Sequence, residues 1–202
     1  TAFFHLRNIT KIRNILSKQD AEKLVHAFVT SRLDYCNSLL AGLPASAAKP
    51  LQRIQNAAAC LVYNLPKLSH VTPLLRDLHW LPVGASIRFK MMVLAFKAVN
   101  ATAPVYLQTL VRPHAPARTL CSSTSAGRLV PPSLRANKAH SAKLRLFSVL
   151  AHQWWNKLPT NVRTAESHSI FRKRLKTHLF RLPLDPDSRE LEMKLKQRQN
   201  FQ

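Results

Sequence analysis

The chain has 202 residues, enough for one large or two small domains, and 31 of them are Lys or Arg against nine Asp or Glu. The apolar share of 46% excludes a disordered chain, and the three glycines argue against Gly-rich phosphate loops and a turn-rich β-sandwich. No apolar run reaches the roughly eighteen residues of a transmembrane helix, so we expect no membrane partner.

Five Leu-Pro dipeptides divide the chain into segments. Proline cannot continue a helix, and it moves the residue before it away from helical backbone angles. We therefore expect each dipeptide to mark the end of a helix, with its leucine packed on the core. The dipeptides are Leu43-Pro44, Leu65-Pro66, Leu81-Pro82, Leu158-Pro159 and Leu182-Pro183.

Two long helices are predicted in the first third of the chain. Ser17 and Asp20 have the spacing of a capping box, which satisfies backbone N–H groups at a helix start. Apolar residues then recur at helical spacing, so we expect this helix over about residues 18–40. Pro50 is suited to the first turn of the next helix.

Three further helices complete the predicted bundle. Short helices are expected over about residues 72–78 and 104–111, each opened by a proline. The segment 84–99 between them is apolar nearly all round, which is typical of the central helix of a bundle.

The pattern changes after residue 111, where prolines, serines and threonines interrupt any helical period. Candidate strands lie at 118–121, 127–130 and 143–150, and a helical turn and a final amphipathic helix are expected near 154–158 and 170–179. The predicted fold class is therefore mainly α: a helical bundle over 1–111 and a smaller α+β domain over 112–182 with a Pro-rich connection. We expect a flexible tail over 183–202.

No Asp or Glu occurs between Leu78 and Glu166, although basic residues recur throughout that stretch. Uncompensated positive charge repels itself, so this balance is typical of a protein with a polyanionic partner, most commonly nucleic acid. The alternative is a solvated basic surface without a dedicated ligand.

The candidate nucleic-acid contacts are cations on predicted helix faces, because phosphate contacts position a nucleic acid without reading its sequence. Two adjacent tryptophans are candidates for stacking on unpaired bases, with a place in the core as their alternative. The candidate cations are Arg7, Lys11, Arg13, Arg88, Lys90, Lys97, Arg172, Lys173, Arg174, Lys176 and Arg181, and the tryptophans are Trp154 and Trp155.

Catalytic motifs are missing from the sequence. The few carboxylates are isolated, whereas phosphoryl-transfer sites need at least two that converge on metal ions. A Gly-x-Ser-x-Gly elbow, a P-loop and a dinucleotide fingerprint are all absent. We therefore expect no catalytic residue, no metal site and no cofactor. The three cysteines are widely spaced, as in reduced thiols of an intracellular protein of the nucleus or the cytoplasm.

Seven segments carry a resemblance to a known family: Ser31–Leu40, Ala41–Pro44, Leu51–Ala58, His70–Leu75, Leu78–Val83, Trp154–Pro159 and Phe171–Phe180. In this order they resemble the C-terminal part of reverse transcriptases from vertebrate non-LTR (LINE-type) retrotransposons. The resemblance covers nearly all of residues 3–182.

The resemblance implies that the chain is the helical thumb, and the region after it, of a larger polyprotein. The aromatic-x-Asp-Asp turn of the polymerase core is absent, since no two Asp residues are adjacent. The implied role is to hold template RNA or an RNA–DNA hybrid without catalysis, beside the palm and fingers of the same polyprotein. Two alternatives remain open: a basic helical scaffold that binds protein, and a truncated element copy without function.

Overall fold

Helices account for nearly all the regular structure within residues 2–66, 69–114, 127–132 and 147–182, which are the residues that the computed structural model describes. Two 3-10 turns, Arg13–Ile15 and Asn37–Leu40, and a π-helical turn, His26–Thr30, lie between them. The α-helices are α1 (Ala2–Ile12), α2 (Lys18–Val25), α3 (Ser31–Asp34), α4 (Ala45–Val62), α5 (Val71–Asp77), α6 (Val83–Val99), α7 (Val105–Gln108), α8 (Phe147–Asn156), α9 (Thr160–Arg163) and α10 (His168–Arg181).

A first hydrophobic core lies between α1, α2, α4 and α5, and we call residues 2–78 the first core region. Ala58 and Ala59 of α4 are fully buried, and their small side chains allow the neighbouring helices to approach closely. One half of the predicted capping box is confirmed at the start of α2, where the Ser17 hydroxyl accepts the Asp20 N–H at 3.1 Å. The Asp20 carboxylate accepts from the Ser17 hydroxyl at 2.7 Å and not from a backbone N–H. The buried members of this core are Leu6, Ile9, Val25, Val29, Ala58, Ala59, Val62, Leu75 and Leu78.

The helix predicted over 18–40 ends earlier, at Asp34. Tyr35 is extended and Cys36 adopts a left-handed conformation with φ 51°. The break turns Asn37 into the core, where it is 2% exposed and its amide donates to Asp34 Oδ1 and Ser86 Oγ. These side-chain bonds connect the segment to α6 in place of a continued helix.

The helix predicted to begin near Pro50 begins five residues earlier, at Ala45. Pro50 therefore lies inside α4, where it cannot donate to the carbonyl of Ser46. Ser46 is exposed, so water can satisfy that carbonyl and the helix continues through the proline.

A second hydrophobic core surrounds α6, and we call the described residues within 83–182 the second core region. α6 packs against α8 and α10, which confirms the prediction of a central apolar helix over 84–99. The Phe171 ring of α10 stacks on Phe96 of α6 at 4.3 Å between centroids and on Trp155 of α8 at 5.6 Å. Aromatic stacking of this kind adds to the stabilisation from buried area.

The mainly α fold class is confirmed, whereas the α+β character of residues 112–182 is not seen in the described part. The strand predicted at 143–150 is wrong for 147–150, which begin α8 and pack on α6. Residues 127–130 form one antiparallel bridge, between Leu129 and Pro113, and not a strand. The predictions at 118–121, 143–146 and 183–202 lie outside the described residues.

The second core contains residues from both sides of position 111, among them Val111 and Leu129. The division into domains at that position stays a prediction. No helix in the described ranges combines the length and apolarity needed to cross a membrane.

Candidate nucleic-acid interface

The long helices of the second core region, α6, α8 and α10, contain no Asp or Glu. Two carboxylates of the first core region, in contrast, pair with lysines: Asp77 with Lys18 at 3.1 Å and Asp20 with Lys23 at 3.5 Å. The positive charge of the second core region is therefore not balanced by carboxylates on its own long helices.

The structure separates the predicted cations by exposure. Lys90, Lys97 and Lys176 are half-buried, and Arg13 is too. The other seven predicted cations are exposed and lie on α1, α6 and α10: Arg7, Lys11, Arg88, Arg172, Lys173, Arg174 and Arg181.

The Arg13 side chain forms hydrogen bonds within the fold. Its guanidinium donates to the carbonyls of Leu61 and Val62, at the C-terminal end of α4, and to that of Leu16, all at 2.8 Å. Helix ends leave carbonyls without helical donors, and a cation there also interacts favourably with the helix dipole. Arg13 thus ties α1 to α4, a role that the sequence did not indicate.

Two other predicted cations also bond to backbone carbonyls. Lys90 donates to Asp34 O across the break after α3, and Arg174 donates to Asn161 O at 2.6 Å. Arg174 nevertheless remains exposed, so its unused N–H groups face solvent. Lys90 is the less accessible of the two.

Three predicted cations lie over aromatic rings. Arg88 is 5.8 Å from the ring centroid of Trp154, Arg172 is 6.0 Å from that of Phe89, and Lys176 is 5.9 Å from that of Phe180. These distances are at the outer limit of cation–π attraction, about 6 Å.

The two tryptophans have different environments. Trp155 is 1% exposed and its indole N–H donates to the Gly127 carbonyl at 2.6 Å, so its ring is not accessible for stacking on a base. The stacking prediction therefore does not hold for Trp155, which is a core residue. Trp154 is half-buried: it packs on the core with one part and lines a surface cleft with another.

That cleft lies between α4, α6 and α8 and has a volume of about 420 Å³. Its lining includes three cations, Lys49, Arg53 and Arg88, together with Trp154 and no carboxylate. Lys49 and Arg53 were not among the sequence candidates. Their i, i+4 spacing places them on one face of α4, but the sequence did not show that this face meets Arg88 and Trp154.

Side-chain amides of α4 and α8 form hydrogen bonds with the backbone of neighbouring segments. Gln52 Oε1 accepts the Val83 N–H at 2.9 Å, and Gln55 Nε2 donates to Leu81 O at 2.9 Å, which joins α4 to the start of α6. Asn156 bonds both backbone groups of Leu129, at 2.9 and 3.0 Å. These side-chain amides therefore connect separate segments of the fold.

Titratable groups differ between the two core regions. Burial, with Lys97 and Arg172 nearby, lowers the pKa of His168, and burial beside Arg181 lowers the pKa of His178. In the first core region, hydrogen bonds from Tyr63 and Lys18 lower the pKa of the Asp77 carboxyl.

Among the residues that the structure describes, no group of three or more His, Cys, Asp or Glu side chains could hold a metal ion. No protein-family model, curated protein or solved structure matches the chain.

Proposed function

We propose that this chain is a non-catalytic nucleic-acid-binding piece of a LINE-type reverse transcriptase, namely its thumb and the region that follows. It holds template RNA or an RNA–DNA hybrid through phosphate contacts, in the nucleus or the cytoplasm. The observation that carries the proposal is the carboxylate-free assembly of α6, α8 and α10, from which Arg88, Arg172, Lys173 and Arg174 are exposed.

Charge repulsion supports this function. A surface with so few compensating carboxylates gains free energy when a polyanion neutralises it, and the released counterions add to that gain. These four cations belong to α6 and α10, two helices that pack together, and Arg172 lies 6.0 Å from the ring centroid of Phe89, the residue after Arg88.

The positions of the carboxylates support a role without catalysis. Asp20 bonds the N-terminal cap of α2, Asp34 accepts from Asn37 and Ser86, and Asp77 bonds Lys18 and Tyr63. Each of these three acids takes part in a separate structural contact. A two-metal polymerase site instead requires carboxylates that face one point.

The experiment is a salt titration of binding to duplex and single-stranded nucleic acid. Neutralising two exposed cations, Arg172→Gln with Lys173→Gln, should make the log–log slope less steep by about 1.8 on duplex, since each phosphate that a cation neutralises adds about 0.9 to the slope. Lys23→Gln is the matched control, because Lys23 is exposed but pairs with Asp20 in the first core region. Binding that stays constant between about 50 and 200 mM salt would overturn the proposal.

A second candidate function, a scaffold that binds protein, is favoured by the N-terminal face of α1. Phe3 and Phe4 there are 60% and 62% exposed. For a scaffold of this kind the polymerase palm and fingers are the natural partner, and the complex would persist at salt concentrations that release nucleic acid. Phe3→Ser with Phe4→Ser should weaken that complex and leave nucleic-acid binding unchanged.

A further inference from the structure

We infer that the cleft between α4, α6 and α8 binds one unpaired nucleotide, with its base against the Trp154–Arg88 pair and its phosphates at Lys49 and Arg53. This inference rests on the proposed function and narrows it, because it assigns one base-binding site within a surface otherwise suited to phosphates.

The wall formed by α4 supplies the phosphate contacts. Lys49 and Arg53 are exposed and four residues apart, so both cations project along the same side of the helix. A guanidinium can bond two phosphate oxygens at once, and a lysine adds a point charge. The lining adds the side-chain amides of Gln52 and Asn56 and contributes no negative charge.

The wall formed by α6 and α8 supplies a stacking surface. The Arg88 guanidinium lies 5.8 Å from the Trp154 ring centroid, and both side chains line the cleft. Unpaired bases stack on aromatic rings and on guanidinium planes, so either member of the pair offers a face of the right kind. Trp154 is also packed on the second core, which fixes its position before a ligand arrives.

The size and charge of the cleft favour a single nucleotide. Its volume of about 420 Å³ is within the range of about 300–1,000 Å³ for small-ligand sites. Paired bases have both faces covered by their neighbours in a duplex, whereas an unpaired base is available for stacking. The ligand is therefore a nucleotide of a single-stranded segment.

The first experiment varies the ligand and leaves the protein unchanged. Oligomers of thymidine and of uridine, about 12 nucleotides long, are compared with a base-free deoxyribose-phosphate oligomer of equal length. The better of the two base-containing oligomers should bind roughly 5- to 150-fold more tightly than the base-free one, the effect expected of one stacked base. Equal affinities would overturn the inference.

The second experiment blocks the cleft without changing any charge. Gly84 lines the cleft, and a Cβ added there meets nothing within 4 Å, so Gly84→Leu places a side chain in the open space. Thr72→Leu is the matched control, because Thr72 is also the exposed second residue of its helix. Gly84→Leu should abolish the preference for bases, as should Trp154→Ala, and the control should keep it.

The outcomes separate this inference from the proposed function. If all oligomers bind equally and Gly84→Leu binds as the unchanged protein does, the nucleotide site is refuted and phosphate-mediated binding stands. If neither the oligomers nor an RNA–DNA hybrid duplex binds at low salt, the proposed function itself fails. Circular dichroism of each variant verifies the fold, and the comparison of oligomers needs no variant.

Discussion

The first and second core regions use charge in opposite ways. In the first, the carboxylates of Asp20, Asp34 and Asp77 accept hydrogen bonds that support the fold. In the second, α6 and α10 carry cations, neither they nor α8 carries a carboxylate, and Phe96, Trp155 and Phe171 form an aromatic stack in the core. Apolar packing forms this core, and Arg88, Arg172 and Lys173 remain exposed on its surface.

The largest effect is expected from removal of the aromatic stack. Phe171 is fully buried, so Phe171→Ala should lower the free energy of unfolding by about 3–5 kcal/mol, because apolar burial is reduced and a cavity is left behind. Urea unfolding followed by tryptophan fluorescence measures it. Ile170→Ala, at an exposed neighbouring position, is the control. A decrease below about 1 kcal/mol would mean that this packing does not hold the second core region together.

A smaller effect is expected from Arg13, the cation that the first core region uses for its fold. Arg13→Ala removes three hydrogen bonds to backbone carbonyls and should cost about 2 kcal/mol. Lys11→Ala, at an exposed position on the neighbouring helix, should stay within about 0.5 kcal/mol in the same unfolding experiment. Equal stabilities of the two variants would contradict the assigned role of Arg13.

Acidification should affect the second core region first. The lowered pKa values of His168 and His178 mean that the unfolded chain, with histidines near pKa 6.5, takes up protons before the folded one. Stability from these groups is present above about pH 6.5 and is lost as the pH falls through their folded pKa values. Thermal unfolding at about pH 7 and 5 tests this, with a smaller loss of stability expected for His168→Gln.

The corresponding change in the first core region should begin at lower pH. The pKa of Asp77 is lowered, so its contribution is present above the unfolded value of about 3.9 and is lost as the pH falls through the folded value. Asp77→Asn should reduce the loss of stability seen below about pH 4 and leave the change between pH 7 and 5 intact. If Asp77→Asn altered the change near neutral pH, the separation of the two regions would be wrong.

The smallest expected effect is an increase in the free energy of unfolding. Gly84→Ala should stabilise the second core region by about 0.5 kcal/mol, because alanine restricts the unfolded chain and its Cβ meets open space. The urea midpoint should rise with an unchanged slope. A decrease in the midpoint would mean that the start of α6 needs glycine.

Sequence patterns predicted the helices where local signals and tertiary packing agree. The segment 84–99 is apolar nearly all round and follows a Leu-Pro dipeptide, and α6 begins within one residue of the prediction. Residues 147–150 are helical because they pack on α6, a contact that no local pattern shows. The break at Cys36 has no Gly or Pro signal, since it depends on the bonds of Asn37 to Ser86, 49 residues away.

The sequence predicted two of the cleft residues, Arg88 and Trp154, but neither Lys49 and Arg53 nor the arrangement of the four. The charge pattern made Arg88 a candidate and the adjacent tryptophans made Trp154 one, yet which cations already bond within the fold depends on distant contacts. Arg13 reaches a carbonyl 48 residues further along the chain, and the cleft joins Lys49 and Arg53 to Arg88 and Trp154. Such contacts between distant residues have no periodic signature in a single sequence.

The side-chain hydrogen bonds of Gln52 and Gln55 should make the shape of the cleft insensitive to salt, whereas phosphate binding in it depends on salt. They connect the two walls through uncharged groups, and dissolved ions screen charges but leave neutral hydrogen bonds largely unaffected. The spacing between α4 and α6 should therefore remain the same in concentrated salt, although salt at that concentration screens the attraction between the cations and phosphates. A nucleotide could leave and return as ionic strength changes, and the site would not have to be rebuilt each time.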